Sequence, residues 1–116
     1  MVAGSIHKKT SQTTHFNGRQ LADRFEELFQ IWKKETLLYS DGDKILGHPA
    51  YRKMIALGKP AVPLMLQKLK DDPHFLFDAL TVITGEDPIP ESHSGRLLKM
   101  AEDWLAWGIK NGYDIR

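Results

Sequence analysis

The chain has 116 residues, no cysteine and a formal net charge of +1. This length is that of one domain, which can bury a modest core without disulfides or a structural metal. The lack of cysteine excludes a disulfide framework, a thiolate metal site and a cysteine nucleophile. No apolar run approaches the roughly 20 residues that cross a bilayer, and no signal-peptide core is present near the N-terminus. We therefore expect a cytoplasmic protein.

Residues 1–16 are polar and lack any periodicity, so we expect a flexible tail followed by a single helical domain at residues 17–116. The first helix is predicted from about Gly18 to Tyr39, with Asn17 as its N-cap. Its apolar residues recur along one stripe of a 3.6-residue period, which predicts a buried face. They are Leu21, Phe25, Leu28, Phe29, Trp32 and Tyr39.

The segment Ser40–Asp43 has the composition of a turn. It lacks the further oxygen ligands of a calcium loop, so we expect no calcium there. A second helix is predicted to begin at Pro49 and to end at Gly58, because proline favours the first helical position and glycine the C-terminal cap. His48 is expected to cap this helix, rather than to act in catalysis.

The third and fourth helices are predicted to form an antiparallel pair. Pro60 and Pro63 both fit the first turn of the third helix, where amides have no partner within the helix. Asp72 is an N-cap candidate for a fourth helix at about Pro73–Thr84. That helix is apolar over most of its circumference and should lie centrally, with Asp78 on its narrow exposed side.

Residues 85–95 form an acidic loop with two prolines, and Ile89 between them is expected to pin the loop to the core. The spacing of the carboxylates and the histidine in this loop does not favour a metal site. The last helix should run from Ser94 or Gly95 to about Asn111, with Gly112 as its cap. Its inward residues are predicted to be Leu97, Met100, Ala101, Trp104, Leu105 and Gly108, and this glycine would permit a close helix contact. Trp107 is either a packed edge of the core or an interface anchor.

Charge is distributed in two blocks. The segment Lys44–Lys70 contains six bases and no acid, whereas Asp71–Glu91 contains six acids and no base. These blocks would either form one surface with a positively and a negatively charged part or be ordinary solvated faces of neighbouring helices.

A family resemblance lies in the centre of the chain. The run Ile55-Ala56-Leu57-Gly58-Lys59-Pro60-Ala61-Val62-Pro63-Leu64-Met65-Leu66, the aspartate turn Asp71-Asp72, and Ala79-Leu80-Thr81-Val82-Ile83-Thr84-Gly85 together resemble one HEAT-type repeat, over about residues 55–85. The usual arginine early in the second helix is replaced here by an apolar run. The resemblance implies an all-α, compact five-helix domain of stacked antiparallel helical hairpins.

A broader resemblance extends over most of the chain after residue 16. The segments around His48-Pro49-Ala50-Tyr51, Gly85-Glu86-Asp87-Pro88-Ile89-Pro90 and Trp104-Leu105-Ala106-Trp107-Gly108 are similar to a group of short, uncharacterised bacterial proteins. This resemblance implies a bacterial source and supplies no activity.

The hypothesis that these features favour is a protein–protein interaction module, an adaptor or the neutralising partner of another small protein. The candidate partner-binding residues are Arg52, Lys53, Lys59, Glu86, Asp87 and Trp107. The alternative is nucleic-acid binding through the basic Lys44–Lys70 segment, and a homodimer is a further option. We expect no enzyme, no catalytic residue, no metal, no other cofactor and no membrane association, because no catalytic motif or metal-ligand spacing is present.

Overall fold

The structure, a computed structural model, describes residues 17–72 and 76–115, and every regular element in these ranges is helical. The all-α prediction is therefore confirmed. The α-helices are α1 (Gly18–Thr36), α2 (Gly42–Leu46), α3 (Pro49–Ala56), α4 (Val62–Asp71), α5 (Leu76–Thr84) and α6 (Leu97–Lys110). Two 3₁₀ turns, at Lys59–Ala61 and Glu91–His93, precede α4 and α6.

The predicted capping residues fix where the helices begin and end. Asn17 forms a capping box with Gln20, in which each side chain accepts from the other residue's backbone amide. His48 caps α3 by accepting the Ala50 amide on Nδ1, at 3.0 Å. Gly58 has a φ of 75°, the left-handed conformation that glycine adopts without a steric penalty. The predicted helix starts and stops at these residues are confirmed.

Residues 17–72 and 76–115 contain six α-helices rather than the predicted five, because the Ser40–Asp43 turn continues into α2. Asp41 caps this helix by accepting the Asp43 amide at 2.9 Å. Ile45 is buried, and its carbonyl accepts the indole N–H of Trp32 at 2.8 Å. A helix of five residues is too short to be stable alone. The hydrogen bond from Trp32 to Ile45 therefore stabilises it, and the turn composition of the sequence does not reveal this contact.

The helices pack in a definite order. Helix α1 packs on α3, α3 packs on α5, and α4 packs on both α5 and α6. An ion pair between Lys68 and Glu26, at 2.7 Å, also joins α4 to α1. The largest side chains that are less than 2 % exposed come from α1, α3, α4, α5 and α6 and belong to one core. The six with the greatest volume are Trp32, Trp104, Tyr51, Phe29, Met54 and Met65.

The predicted burial is wrong for two residues. Tyr39 is 47 % exposed, because α1 ends at Thr36 rather than at Tyr39. Only a continued helix would place this ring on the buried stripe. Leu97 is 49 % exposed because it is the first residue of α6, at the edge of the packed face. Val82 is also exposed, so the apolar circumference of α5 is not buried all round.

Some predictions fall on residues that the structure does not describe. The expected tail at residues 1–16 and the first-turn position of Pro73 lie outside the described residues. Within the described ranges, no helix combines the length and the apolar character needed to cross a membrane.

Candidate functional site

The end of α5 places the first acidic residue of the loop. Gly85, with a φ of 75°, turns the chain after the helix, and its amide donates to the Thr81 carbonyl at 2.8 Å. The Thr84 hydroxyl donates to the Leu80 carbonyl at 2.8 Å and accepts the Glu86 amide at 3.1 Å. The backbone of Glu86 is therefore held at a defined position by the Thr84 side chain at the end of α5.

The end of α6 places a second aromatic ring beside Trp107. Gly112 has a φ of 87° and donates to the Ile109 carbonyl at 3.1 Å, while the Tyr113 amide donates to the Gly108 carbonyl at 2.9 Å. These two bonds are those of a Schellman motif, which commonly brings the residue after the glycine against the last helical turn. Tyr113 accordingly stacks on Trp107, with ring centroids 5.6 Å apart and planes 26° apart.

Gly108 allows the last helix and the chain end to approach α4 closely. A Cβ atom at this position would lie 2.6 Å from Ile115 Cδ1 and 2.7 Å from Leu66 Cδ1, shorter than ordinary carbon contacts. The prediction that this glycine permits close approach of a neighbouring helix is confirmed. The contact also fixes the level of α6 against the core, and with it the position of Trp107.

Trp107 is half-buried and is fixed on three sides. Its indole Nε1 donates to Glu86 Oε1 at 3.1 Å. Its ring lies edge-on to the buried Trp104, at 5.1 Å between centroids, and stacks on Tyr113. Trp107 is thus a packed edge of the core, and the part that stays accessible is held rigidly.

These elements surround a small pocket of about 180 Å³ at the ends of α5 and α6. Lys59, the first residue of the 3₁₀ turn before α4, completes the lining, which consists of Lys59, Thr84, Glu86, Trp107, Asn111 and Tyr113. Three of the predicted partner-binding residues, namely Lys59, Glu86 and Trp107, therefore share one site. They combine a cation, an anion and an aromatic ring.

Asp87 follows Glu86 but does not line this pocket. Its Oδ1 accepts the Ile89 amide at 3.2 Å, which closes a turn, and Ile89 packs against the hydrophobic core as predicted. The carboxyl of Asp78 on α5 is close enough to Asp87 that the two charges repel. Loss of solvation at its partly covered carboxyl and, to a lesser degree, this repulsion raise the pKa of Asp78. Asp78 is exposed, as predicted.

The remaining predicted residues, Arg52 and Lys53, do not line the pocket. Both are exposed on α3, and Lys53 lines a separate depression of about 230 Å³ between α1 and α3. In that depression His48 Nε2 lies 2.8 Å from Glu35 Oε1. The six predicted residues therefore do not form a single surface pocket.

The basic segment Lys44–Lys70 is partly neutralised within the fold. Lys68 binds Glu26, and its hydrogen bond holds the pKa of that carboxyl below its usual value. The ammonium of Lys68 also lies over the ring of Phe29, 4.8 Å from the centroid. This base is engaged by α1 and is not displayed as part of a free cationic surface.

Tyr51 and His93, two groups whose chemistry would suit catalysis or metal binding, form hydrogen bonds within the fold. Tyr51 is buried, and its hydroxyl accepts the Ala79 amide at 2.9 Å; burial raises the pKa of this phenol. His93 Nδ1 lies 2.7 Å from Asp103 Oδ2. Among the described residues, no group of three or more His, Asp or Glu side chains is placed to hold a metal ion.

The sequence-based prediction missed three lining residues, Thr84, Asn111 and Tyr113. Tyr113 was detectable, because a large apolar residue directly after the Gly112 cap is the expected partner of the last helical turn. Thr84 and Asn111 carry no such signal. Their positions depend on how far α5 and α6 extend before they end.

Apolar side chains are also exposed elsewhere. Leu37 and Leu38 at the end of α1 are 75 % and 94 % exposed, beside a cavity of about 330 Å³ that reaches Trp32 and Ile45. On α6, Leu98 and Ile109 are exposed on the outer face. The cavity, which Lys33 and Tyr39 also line, contains none of the six predicted partner-binding residues.

Comparison of the chain with models of protein families, with curated proteins and with solved structures finds no match. The candidate site is therefore assigned from its own geometry.

Proposed function

We propose that this chain is a protein–protein interaction module, with a HEAT-like arrangement of helical hairpins, whose partner-contacting surface is centred on the pocket of Lys59, Glu86 and Trp107. The observation that carries the proposal is the convergence of these residues at the rigid ends of two helices. Tryptophan is enriched among the residues that dominate binding energy at interfaces, particularly where its position is fixed before binding.

The packing order of the helices supports the repeat-like part of the proposal. The pairs α1 with α3 and α4 with α5 are each in contact, and α3 also contacts α5. This is the order expected when one helical hairpin stacks on the next. Solenoids of this kind bind partners through their exposed surfaces, and a site at the helix ends fits that mode.

Nucleic-acid binding is the weaker candidate. Phosphate recognition depends on clustered free cations, whereas Lys68 is paired with Glu26. The pocket itself also carries the carboxylate of Glu86, which would repel a phosphate. A gel shift at low salt tests this candidate, and we expect no retardation of duplex or single-stranded DNA.

The test of the proposed function is affinity capture with the tagged full chain from the organism that encodes it. We expect a partner at stoichiometric yield with the wild-type chain. Tyr113→Ala removes one wall of the pocket while leaving the backbone bond of Tyr113 to Gly108 intact, so it should abolish capture. The matched control is Arg52→Ala with Lys53→Ala on α3, which should capture the partner as the wild type does.

Two results would contradict the proposal in different ways. The absence of any stoichiometric partner, with a monomeric wild-type chain, would refute the interaction function. Loss of capture by the Arg52→Ala/Lys53→Ala variant but not by Tyr113→Ala would place the interface on α3. Thermal unfolding of each variant shows whether a loss of capture is a loss of fold.

A further inference from the structure

A second surface, at the end of α1, exposes three large apolar residues in a row. Leu37, Leu38 and Tyr39 follow the helix and are 75 %, 94 % and 47 % exposed. Contiguous apolar residues on a protein surface commonly mark an interaction site. None of the three lines the pocket at Trp107, so the proposed function does not account for this surface.

The cavity of about 330 Å³ lies beside these residues. Trp32 and Ile45, which are otherwise buried, line it together with Leu37 and Tyr39, so much of its lining is apolar. An apolar cavity of about 150 Å³ already admits a molecule of the size of benzene. The cavity at the end of α1 therefore has room for a leucine side chain from another molecule.

Leu38 is a side chain that such a cavity would accept. It lies between two lining residues in the sequence but does not line the cavity, and at 94 % exposed it makes almost no contact within its own chain. A protruding apolar side chain and an apolar cavity thus lie next to each other on one surface. A two-fold axis requires this arrangement, because each copy then offers the leucine that the cavity of the other copy receives.

The charges that flank this surface are balanced. They are two bases and two acids, all of them exposed, namely Lys34 on the last turn of α1 and Asp41, Asp43 and Lys44 directly after the cavity residues 39 and 40. Within the described residues none of the four forms an ion pair. Two bases and two acids can pair across a two-fold axis, whereas a surface of one sign would repel its own copy.

We propose that the surface at the end of α1 binds a second copy of this chain. Leu38 of each copy enters the cavity of the other, and the two bases of one copy face the two acids of the other. A foreign partner would require neither the protruding leucine nor the balanced charges, whereas a second copy accounts for both. The surface shares no residue with the pocket at Trp107, so this inference does not depend on the proposed function.

Sedimentation equilibrium of the full chain over a concentration series tests the proposal. We expect the average mass to rise from that of the monomer towards twice that value between about 1 μM and 1 mM, the behaviour of a small, transient interface. Leu38→Ser removes a protruding leucine from both halves of the interface, so it should weaken dimerisation by about a hundredfold or more. Since Leu38 is almost fully exposed, this variant should retain the thermal stability of the wild type.

The matched control is Leu98→Ser, which removes a leucine that is 71 % exposed on α6. This variant should dimerise as the wild type does. Thermal unfolding of each variant shows whether a change in mass reflects a change in fold.

Two charge variants test whether the surface pairs with itself. Of the four flanking charges, Lys44→Glu leaves one base and three acids, and Asp43→Lys leaves three bases and one acid. Each variant alone should dimerise about tenfold more weakly than the wild type, because like charges then meet across the axis. An equimolar mixture of the two should associate more tightly than either variant alone.

The tryptophan indole signals in ¹H–¹⁵N NMR spectra locate the contact during dilution. The indole of Trp32, whose ring lines the cavity, should shift with protein concentration. The indoles of Trp104 and Trp107 on α6 should not shift, and they serve as internal controls.

Several results would overturn the proposal. They are a chain that stays monomeric over the whole series, a dimer that persists in Leu38→Ser, a dimer that is lost in a folded Leu98→Ser, and charge variants that associate no better when mixed. None of these results bears on partner capture at Trp107, which Tyr113→Ala tests separately.

Discussion

Adding a single methyl group at Gly108 should destabilise the protein, although alanine is the better helix former. The new Cβ would lie 2.6 Å from Ile115 Cδ1 and 2.7 Å from Leu66 Cδ1, whereas carbon atoms pack at about 3.5–4.0 Å. About 1 Å of space must therefore be made. Leu66 is fully buried, whereas Ile115 is only partly buried, so we expect the Ile115 side chain to shift.

Two opposing contributions set the size of the effect. Glycine to alanine within a helix gains about 1 kcal/mol of helix propensity, whereas overpacking a core contact costs about 1–3 kcal/mol. We expect the free energy of unfolding of Gly108→Ala to fall by about 1 kcal/mol. The Trp107 indole signal should shift as well, because the Gly108 carbonyl accepts the amide of Tyr113, which stacks on that ring.

Urea unfolding followed by tryptophan fluorescence measures the change. Gly18→Ala is the matched control, because this helical glycine has no atom within 4 Å of its added Cβ and should retain or slightly raise stability. A second variant, Gly108→Ala with Ile115→Ala, should recover part of the loss. If Gly108→Ala is more stable than the wild type, the close approach of α6 to α4 has been misjudged.

Three further predictions concern buried and charged groups. Tyr51→Phe leaves the buried Ala79 amide without its acceptor and should lower the free energy of unfolding by about 1–3 kcal/mol, measured by urea titration. Asp78→Asn should raise the free energy of unfolding at pH 7 by less than about 1 kcal/mol. The raised pKa of Asp78 means that folding disfavours its ionised form, and solvent screening keeps this effect small. That gain should vanish as the pH falls below the ordinary aspartate value of 3.8, and a gain that persists at pH 3 would contradict the reasoning. For Glu26, whose pKa is lowered by Lys68, the stabilising contribution should be present above pH 4.5 and be lost as the pH falls through the lowered value; Glu26→Gln should remove this pH dependence in thermal unfolding scans.

The sequence predicts the helices where local chemistry determines them. Asn17, His48, Gly58 and Gly112 cap helices as expected, because capping depends on a side chain or a φ value and its immediate neighbours. The prediction fails where a contact between residues far apart in the sequence determines the structure. Helix α2 depends on the bond from Trp32 to Ile45 across 13 residues, which no local pattern reveals.

The same distinction holds for the candidate site. Lys59, Glu86 and Trp107 stand out in the sequence by residue type and by their positions next to helix ends. Their meeting in one pocket depends on how α4, α5 and α6 pack, which also separates them from Arg52 and Lys53. Thr84 and Asn111 acquire their role through that packing alone.

Amide hydrogen exchange of the protein with and without its captured partner tests the central claim most directly. We predict that binding slows exchange at residues 84–87 and 107–113, which surround the pocket, and leaves residues 49–56 of α3 unchanged. Slower exchange confined to α3, with no change near Trp107, would contradict the account.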